Sequence, residues 1–340
     1  MEEIVLPPHL RCASHTMNLI MCTDVEKWLL STPETKAVYR NATTKCTGLW
    51  NKASRSTVAS ELVEDNLGKK LLVPCTTRWN SFYDALARVS EIPIVELNTL
   101  LSKLQMKAIS EREYLVIREY CTVMKPLTMA LDVLQGEKNC FYGTLLPTLQ
   151  SLMHKTLELK KDLQILVGLP DAIVQSIRTR FAGALASEDA VLAAVTLPKF
   201  KLRSLHGQQE RKDAAKASLI AECRKLALAR EQQSGTTNPT PQQSTEEDFF
   251  SFPEDEDTYG PAESEVADYF KSVATEMDSL NQYPLIKKLS LKYNAATPSS
   301  APVERLFSLG GLILSPKRNR LSDQKFERLL LLRYNHWFES

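Results

Sequence analysis

Between Arg230 and Lys271 the chain contains no lysine or arginine. This stretch opens with a polar run at 232–243, built of Gln, Ser, Gly, Thr, Asn and Pro, and continues into Glu246, Glu247, Asp248, Glu254, Asp255, Glu256 and Asp257. Such a composition cannot bury enough apolar area to offset the entropy of ordering it. Residues 231–262 are therefore predicted to be a disordered acidic linker. That interruption leaves two blocks to fold separately, one on each side.

The first block reads as helix nearly throughout. Leu10, Ala13, Met17, Ile20, Met21, Val25 and Trp28 recur at three- and four-residue spacing, the mark of one buried helical face. Ser31-Thr32-Pro33 ends that run, and Pro33 suits the first turn of a second helix carrying Val38, Ala42, Cys46, Leu49, Trp50 and Ala53. Segments near 81–89, 93–107, 111–134, 144–167 and 170–186 have the same periodicity, and 208–230 is a polar helix with a narrow stripe at Leu219, Ile220, Cys223, Leu226 and Ala227. Leu71-Leu72-Val73-Pro74-Cys75 is the best strand candidate, with Pro74 confined to its end or an edge.

Beyond the linker, 263–340 is predicted to form a compact helical module. Helices are expected around Val266–Val273, over 285–293, after Pro298-Ser299-Ser300 and after Ser322-Asp323. In the last of these, Phe326, Leu329, Leu330 and Trp337 make a stripe that Leu331, Leu332 and Tyr334 widen to most of the circumference. A helix apolar nearly all round must be covered on more than one side.

Charge and cysteine usage exclude several classes. Forty-two Lys and Arg balance 41 Asp and Glu, so any nucleic-acid patch must be local. From 287 to 340, however, ten basic residues face only Glu304, Asp323, Glu327 and Glu339, with Lys317, Arg318 and Arg320 clustered. That pattern suits a nucleic-acid surface, a nuclear-import signal or a solvated helical face. No apolar run reaches the ~18 residues of a membrane span, and the acidic N-terminus does not resemble a secretory signal. Seven cysteines without Cys-x-x-Cys spacing read as reduced thiols.

Three constellations bear on chemistry. Cys12 and His15 form a Cys-x-x-His whose side chains would share a helical face, but no further Cys/His pair stands at ligand spacing, so packed polar residues are favoured over zinc. Arg78 and Trp79 follow the strand candidate, where a ring can stack on a base beside a phosphate-binding guanidinium, or anchor a core. Glu304 and Arg305 open a helix, where Glu304 is either a dipole-stabilised first-turn acid or one carboxylate of a metal site. There is no glycine-rich phosphate loop and no readable nucleophile–base pair.

Four motifs then fall in order: Arg11-Cys12-Ala13-Ser14-His15-Thr16-Met17-Asn18-Leu19, Thr77-Arg78-Trp79-Asn80-Ser81, Leu197-Pro198-Lys199-Phe200-Lys201, and the tail over 283–335. Together they resemble the C-terminal half of a hAT-superfamily transposase of the BED-finger type, ending in the hAT C-terminal dimerisation region. The resemblance implies a mainly α chain holding an incomplete ribonuclease-H-like core interrupted by a large all-helical insertion. Residues 1–80 would be a core segment with 71–76 as its last strand, 81–230 the insertion, 231–262 the linker and 263–340 the dimerisation region. By the same resemblance Glu304 matches the third of the family's metal-binding acids, Trp79 its stacking residue, and Arg78 and Arg305 their motif neighbours. The other two acids, both Asp on strands, would precede Cys12, where Met1 to Leu10 hold Glu2 and Glu3 but no Asp.

The resulting expectation is a transposase-derived dimerisation module, possessing a vestigial Glu304 and no strand-transfer activity or cofactor of its own, Mg²⁺ serving active family members. Expected dimer contacts are Leu285, Leu289, Phe307, Phe326, Leu329 and Leu330. Expected DNA contacts are Arg78, Trp79, Lys317, Arg318 and Arg320. Partners would be a second copy and DNA, in the nucleus, with no membrane and no small-molecule substrate. The alternatives are a fragment of an active transposase and a non-catalytic nuclear DNA-binding regulator.

Overall fold

The computed structural model describes residues 10–75, 80–136, 140–205, 207–234, 260–318 and 320–335. The described residues are mainly helical and contain no strand. They divide into two compact units. Unit 1 comprises Met1–Cys140, Thr148–Gly183 and Pro298–Ser340, and unit 2 comprises Phe141–Pro147 and Ala184–Thr297.

Unit 1 begins with α1 (Ala13–Leu19), a π-helical turn over Ile20–Asp24, and α2 (Val25–Leu29). Ala13, Met17, Ile20, Met21 and Val25 are buried, as the spacing predicts, while Leu10 is exposed and Trp28 half-buried. Next come α3 (Pro33–Arg55) and α4 (Thr57–Leu67). Thr32 and Ser56 cap these two helices by accepting from the backbone N–H groups of Thr35 and Ala59. Ala42, Cys46, Leu49 and Trp50 form the buried stripe of α3.

Leu71–Cys75, expected as a strand, adopts no regular structure. A strand is completed only by a partner's hydrogen bonds, and no other strand exists among the described residues. The chain then forms α5 (Ser81–Ser90), α6 (Ile94–Lys103) and α7 (Glu111–Leu134). A reciprocal capping box between Ser110 and Glu113 starts α7, and Lys45 Nζ meets the Glu113 carboxylate at 2.7 Å.

The predicted helix at 144–167 is shorter than its periodicity suggests. Helix α8 (Leu145–Glu158) gives way to a 3₁₀ turn over Leu159–Asp162. The next backbone N–H groups, of Gln164, Ile165 and Leu166, donate to the buried Glu119 carboxylate of α7 at 2.7–3.3 Å. This side-chain acceptor replaces the helical ladder locally. Helix α9 (Leu169–Arg180) follows, its Arg180 guanidinium paired with Asp24 at 2.5 and 2.7 Å.

Unit 2 includes α10 (Ala182–Ala186, at its boundary), α11 (Glu188–Val195), α12 (Gln209–Ser234), α13 (Pro261–Lys271) and α14 (Pro284–Tyr293). Its core gathers Leu192, Val195, Leu219, Cys223, Val266, Tyr269, Ile286 and Leu289. The Tyr269 hydroxyl donates to Val195 O at 3.0 Å. Lys201, the last residue of the 197–201 motif, is buried with positive φ, its ammonium 4.8 Å from the Tyr269 ring centre and hydrogen-bonded to Ser272 O. Asn294 ties three segments, accepting from Gly143 N at 2.8 Å and donating to Ala193 O and Thr196 Oγ1 at 3.1 and 3.2 Å.

Most of the expected linker, 235–259, lies outside the described residues; α12 runs to Ser234 and α13 starts at Pro261. No described helix is long and apolar enough to cross a membrane.

Candidate functional site

Unit 1 closes with α15 (Ala301–Ile313), a 3₁₀ turn over Pro316–Arg318, and α16 (Asp323–Tyr334). The N-terminus of α15 meets that of α1. Ala13 N donates to Pro298 O at 2.8 Å, and Ser14 Oγ donates to Ser299 Oγ at 2.7 Å. Ser299 Oγ in turn accepts from Ala301 N at 3.1 Å. Ser300 holds the cap position, yet its hydroxyl contacts Cys12 Sγ at 3.2 Å and Glu304 Oε1 at 2.7 Å instead of capping.

This junction brings the Cys-x-x-His segment to the helix carrying Glu304 and Arg305. Cys12 Sγ accepts from Ser300 N at 3.4 Å and from His15 N at 3.5 Å. Burial pushes the Cys12 thiol up, but the hydrogen bonds from Ser300, His15 and Ser299 outweigh it and hold the group below the ordinary thiol range. The His15 residue is exposed and meets Cys12 through its backbone. Arg305, also exposed, donates from Nη2 to Gln135 O at 2.6 Å, placing a cation on the C-terminal cap of α7.

Glu304 is bound to a serine hydroxyl, and no group of three or more His, Cys, Asp or Glu among the described residues is placed to hold an ion.

The two C-terminal helices form a hairpin with an uncovered apolar surface. Phe326 lies across Gly310, where a Cβ would stand 3.2 Å from its ring. On the outer side, Val303 (50% exposed), Phe307 (73%), Gly311 and Leu314 follow one another at four-, four- and three-residue steps. A Cβ at Gly311 would meet nothing within 4 Å. No described residue of α16 is buried, and Leu329 and Leu331 are exposed.

Residues 245–336 match the model of the hAT family C-terminal dimerisation region. The chain carries a hAT dimerisation region. The match supports a hAT-superfamily, transposase-derived protein that self-associates. No curated protein matches the chain.

Within the hAT region the expected contact residues separate into two sets. Leu285 and Leu289 are buried in the core of unit 2, so they hold that unit together and offer no open face. Phe307 and Leu329 are exposed, and Phe326 and Leu330 are half-buried in the hairpin. Sequence periodicity marks all of these as apolar without showing which their own chain covers. Exposed Val303, Gly311, Leu314 and Leu331 join Phe307, and their helical spacing was the available signal. Lys317 and Arg320 are exposed between the two helices. Arg78, Trp79, Trp337 and the side chain of Arg318 lie outside the described residues.

Proposed function

We propose that this protein is a non-catalytic, transposase-derived dimerisation module whose α15–α16 hairpin pairs with the hairpin of a second copy, acting in the nucleus in association with DNA. The observation that carries the reading is the exposed Val303–Phe307–Leu314 stripe inside the hAT dimerisation region. An apolar surface grouped in this way is costly to leave in water. The open space over Gly311 admits a close-approaching helix.

A structural role for Glu304 is supported by its first-turn position and its bond to Ser300. The DNA-associated part of the reading draws on exposed Lys317 and Arg320. A ribonuclease-H-like ancestry is retained as part of the proposal. Its support is the order of the four sequence motifs alone, since unit 1 takes in 81–140 and 148–183, which the resemblance would assign to the insertion.

Sedimentation of the full chain tests the self-association. A concentration-dependent dimer weakened by Phe307→Asp is expected, and a monomer at all micromolar concentrations overturns the reading. Fluorescence anisotropy with duplex DNA at physiological salt tests the DNA association, which Lys317→Ala with Arg320→Ala should reduce.

A further inference from the structure

Unit 1 contains a cavity of about 260 Å³ that the hairpin does not use. Tyr39 of α3, Phe82 and Tyr83 of α5 and Tyr120 of α7 line it, with Cys22 from the π turn and Glu26 of α2 at its edge. Tyr39 and Tyr120 have ring centres 6.1 Å apart at 38°, and Phe82 stands edge-on to Tyr120 at 6.3 Å and 78°. The walls are thus aromatic rings in several orientations.

Two polar groups at this cavity lack protein partners. Tyr120 is only 5% exposed, and its hydroxyl makes no hydrogen bond among the described residues. Glu26 is exposed, and its carboxylate has no ion pair among the described residues. Burial first, then the Glu26 charge, pushes the Tyr39 phenol upward, whereas Tyr120 is raised by burial and next by Tyr39, with Glu26 the smallest contributor.

The chemistry narrows the occupant. An anion would be repelled by Glu26. A bare metal ion would lack ligands, since no metal-binding cluster is present among the described residues. A neutral hydrocarbon would satisfy the rings and leave Glu26 unused. An organic cation satisfies both, because ring faces attract a cation and the carboxylate neutralises it. A π turn in a helix wall is also a frequent companion of binding sites.

We propose that this cavity binds an alkylated ammonium group, held by the rings of Tyr39, Phe82 and Tyr120 and by the Glu26 carboxylate. The group can belong to a free quaternary amine or to a methylated lysine side chain of another protein. Calorimetric titration of the full chain with choline, with its neutral isostere 3,3-dimethylbutan-1-ol, and with a short trimethyllysine peptide tests the assignment. Choline is expected to bind saturably and about tenfold more tightly than the isostere, and Glu26→Gln to remove that advantage. Because Glu26 is exposed, this variant keeps the fold, as circular dichroism should verify. Tyr39→Leu should weaken choline binding similarly. A peptide stronger than choline points to a protein side chain, and choline equal or stronger points to a free amine; either supports the site. Equal binding of choline and isostere, unchanged binding by Glu26→Gln, or no saturable binding of either ammonium probe overturns it.

Discussion

Ser300 reaches Cys12 Sγ twice, from its backbone N at 3.4 Å and from its hydroxyl at 3.2 Å, although 288 positions separate the two residues. This contact sets the thiol apart from Cys22, which is exposed yet raised by local burial and by the Glu26 charge. Site-resolved alkylation against pH should therefore give Cys12 a lower midpoint than Cys22. Ser300→Ala should move the Cys12 midpoint upward and leave Cys22 where it is. The folded pKa lies below the unfolded one, so the associated stability is present above the unfolded value and is lost as pH falls through the folded value.

Glu222 of α12 should make unit 2 acid-sensitive. Hydrogen bonds from Lys225, Tyr293 and Lys292 lower its carboxyl to about 2. The depressed value means that its stabilisation is complete above the unfolded pKa of about 4.5 and fades as pH falls toward 2. Screened by solvent, the contribution is about 1 kcal/mol. Urea midpoints at pH 7 and pH 3 should converge more closely in Glu222→Gln than in the parent.

Gly143 should tolerate no side chain. A Cβ there would lie 2.3 Å from Ala193 O and 2.7 Å from Asn294 Oδ1. Both are fixed, the first as backbone and the second by its hydrogen bonds. Gly143→Ala is expected to cost about 1–3 kcal/mol or more, read from the thermal midpoint. Asn294→Ala should also destabilise, because buried Gly143 N and Ala193 O would lose their shared partner.

Leu289 and Phe307 should respond in opposite ways. Leu289 is fully buried in unit 2, so Leu289→Ala should cost about 2–5 kcal/mol of folding stability. Phe307 is 73% exposed, so Phe307→Ser should change monomer stability by less than about 0.5 kcal/mol while weakening self-association. Denaturant unfolding at low protein concentration and sedimentation at high concentration separate the two effects.

The helical character of this protein was determined by its sequence, because its signals are local. Ala42, Cys46, Leu49 and Trp50 recur within one helix, and Thr32-Pro33 carries its own start signal. The hAT resemblance was legible for a related reason: motif residues keep their order whatever covers them. Pairing is different, since it depends on what the rest of the chain brings alongside. Leu71–Cys75 has the composition of a strand but finds no partner strand among the described residues, and so stays irregular. Leu285, Leu289, Phe307 and Leu329 look alike as apolar residues, and only packing buries the first two and leaves the others in water. Ser300 resembles an ordinary cap until the fold delivers Cys12 to it and redirects its hydroxyl. Tertiary structure decided these outcomes because burial and hydrogen-bond partners are non-local properties, supplied by segments that no window of sequence contains.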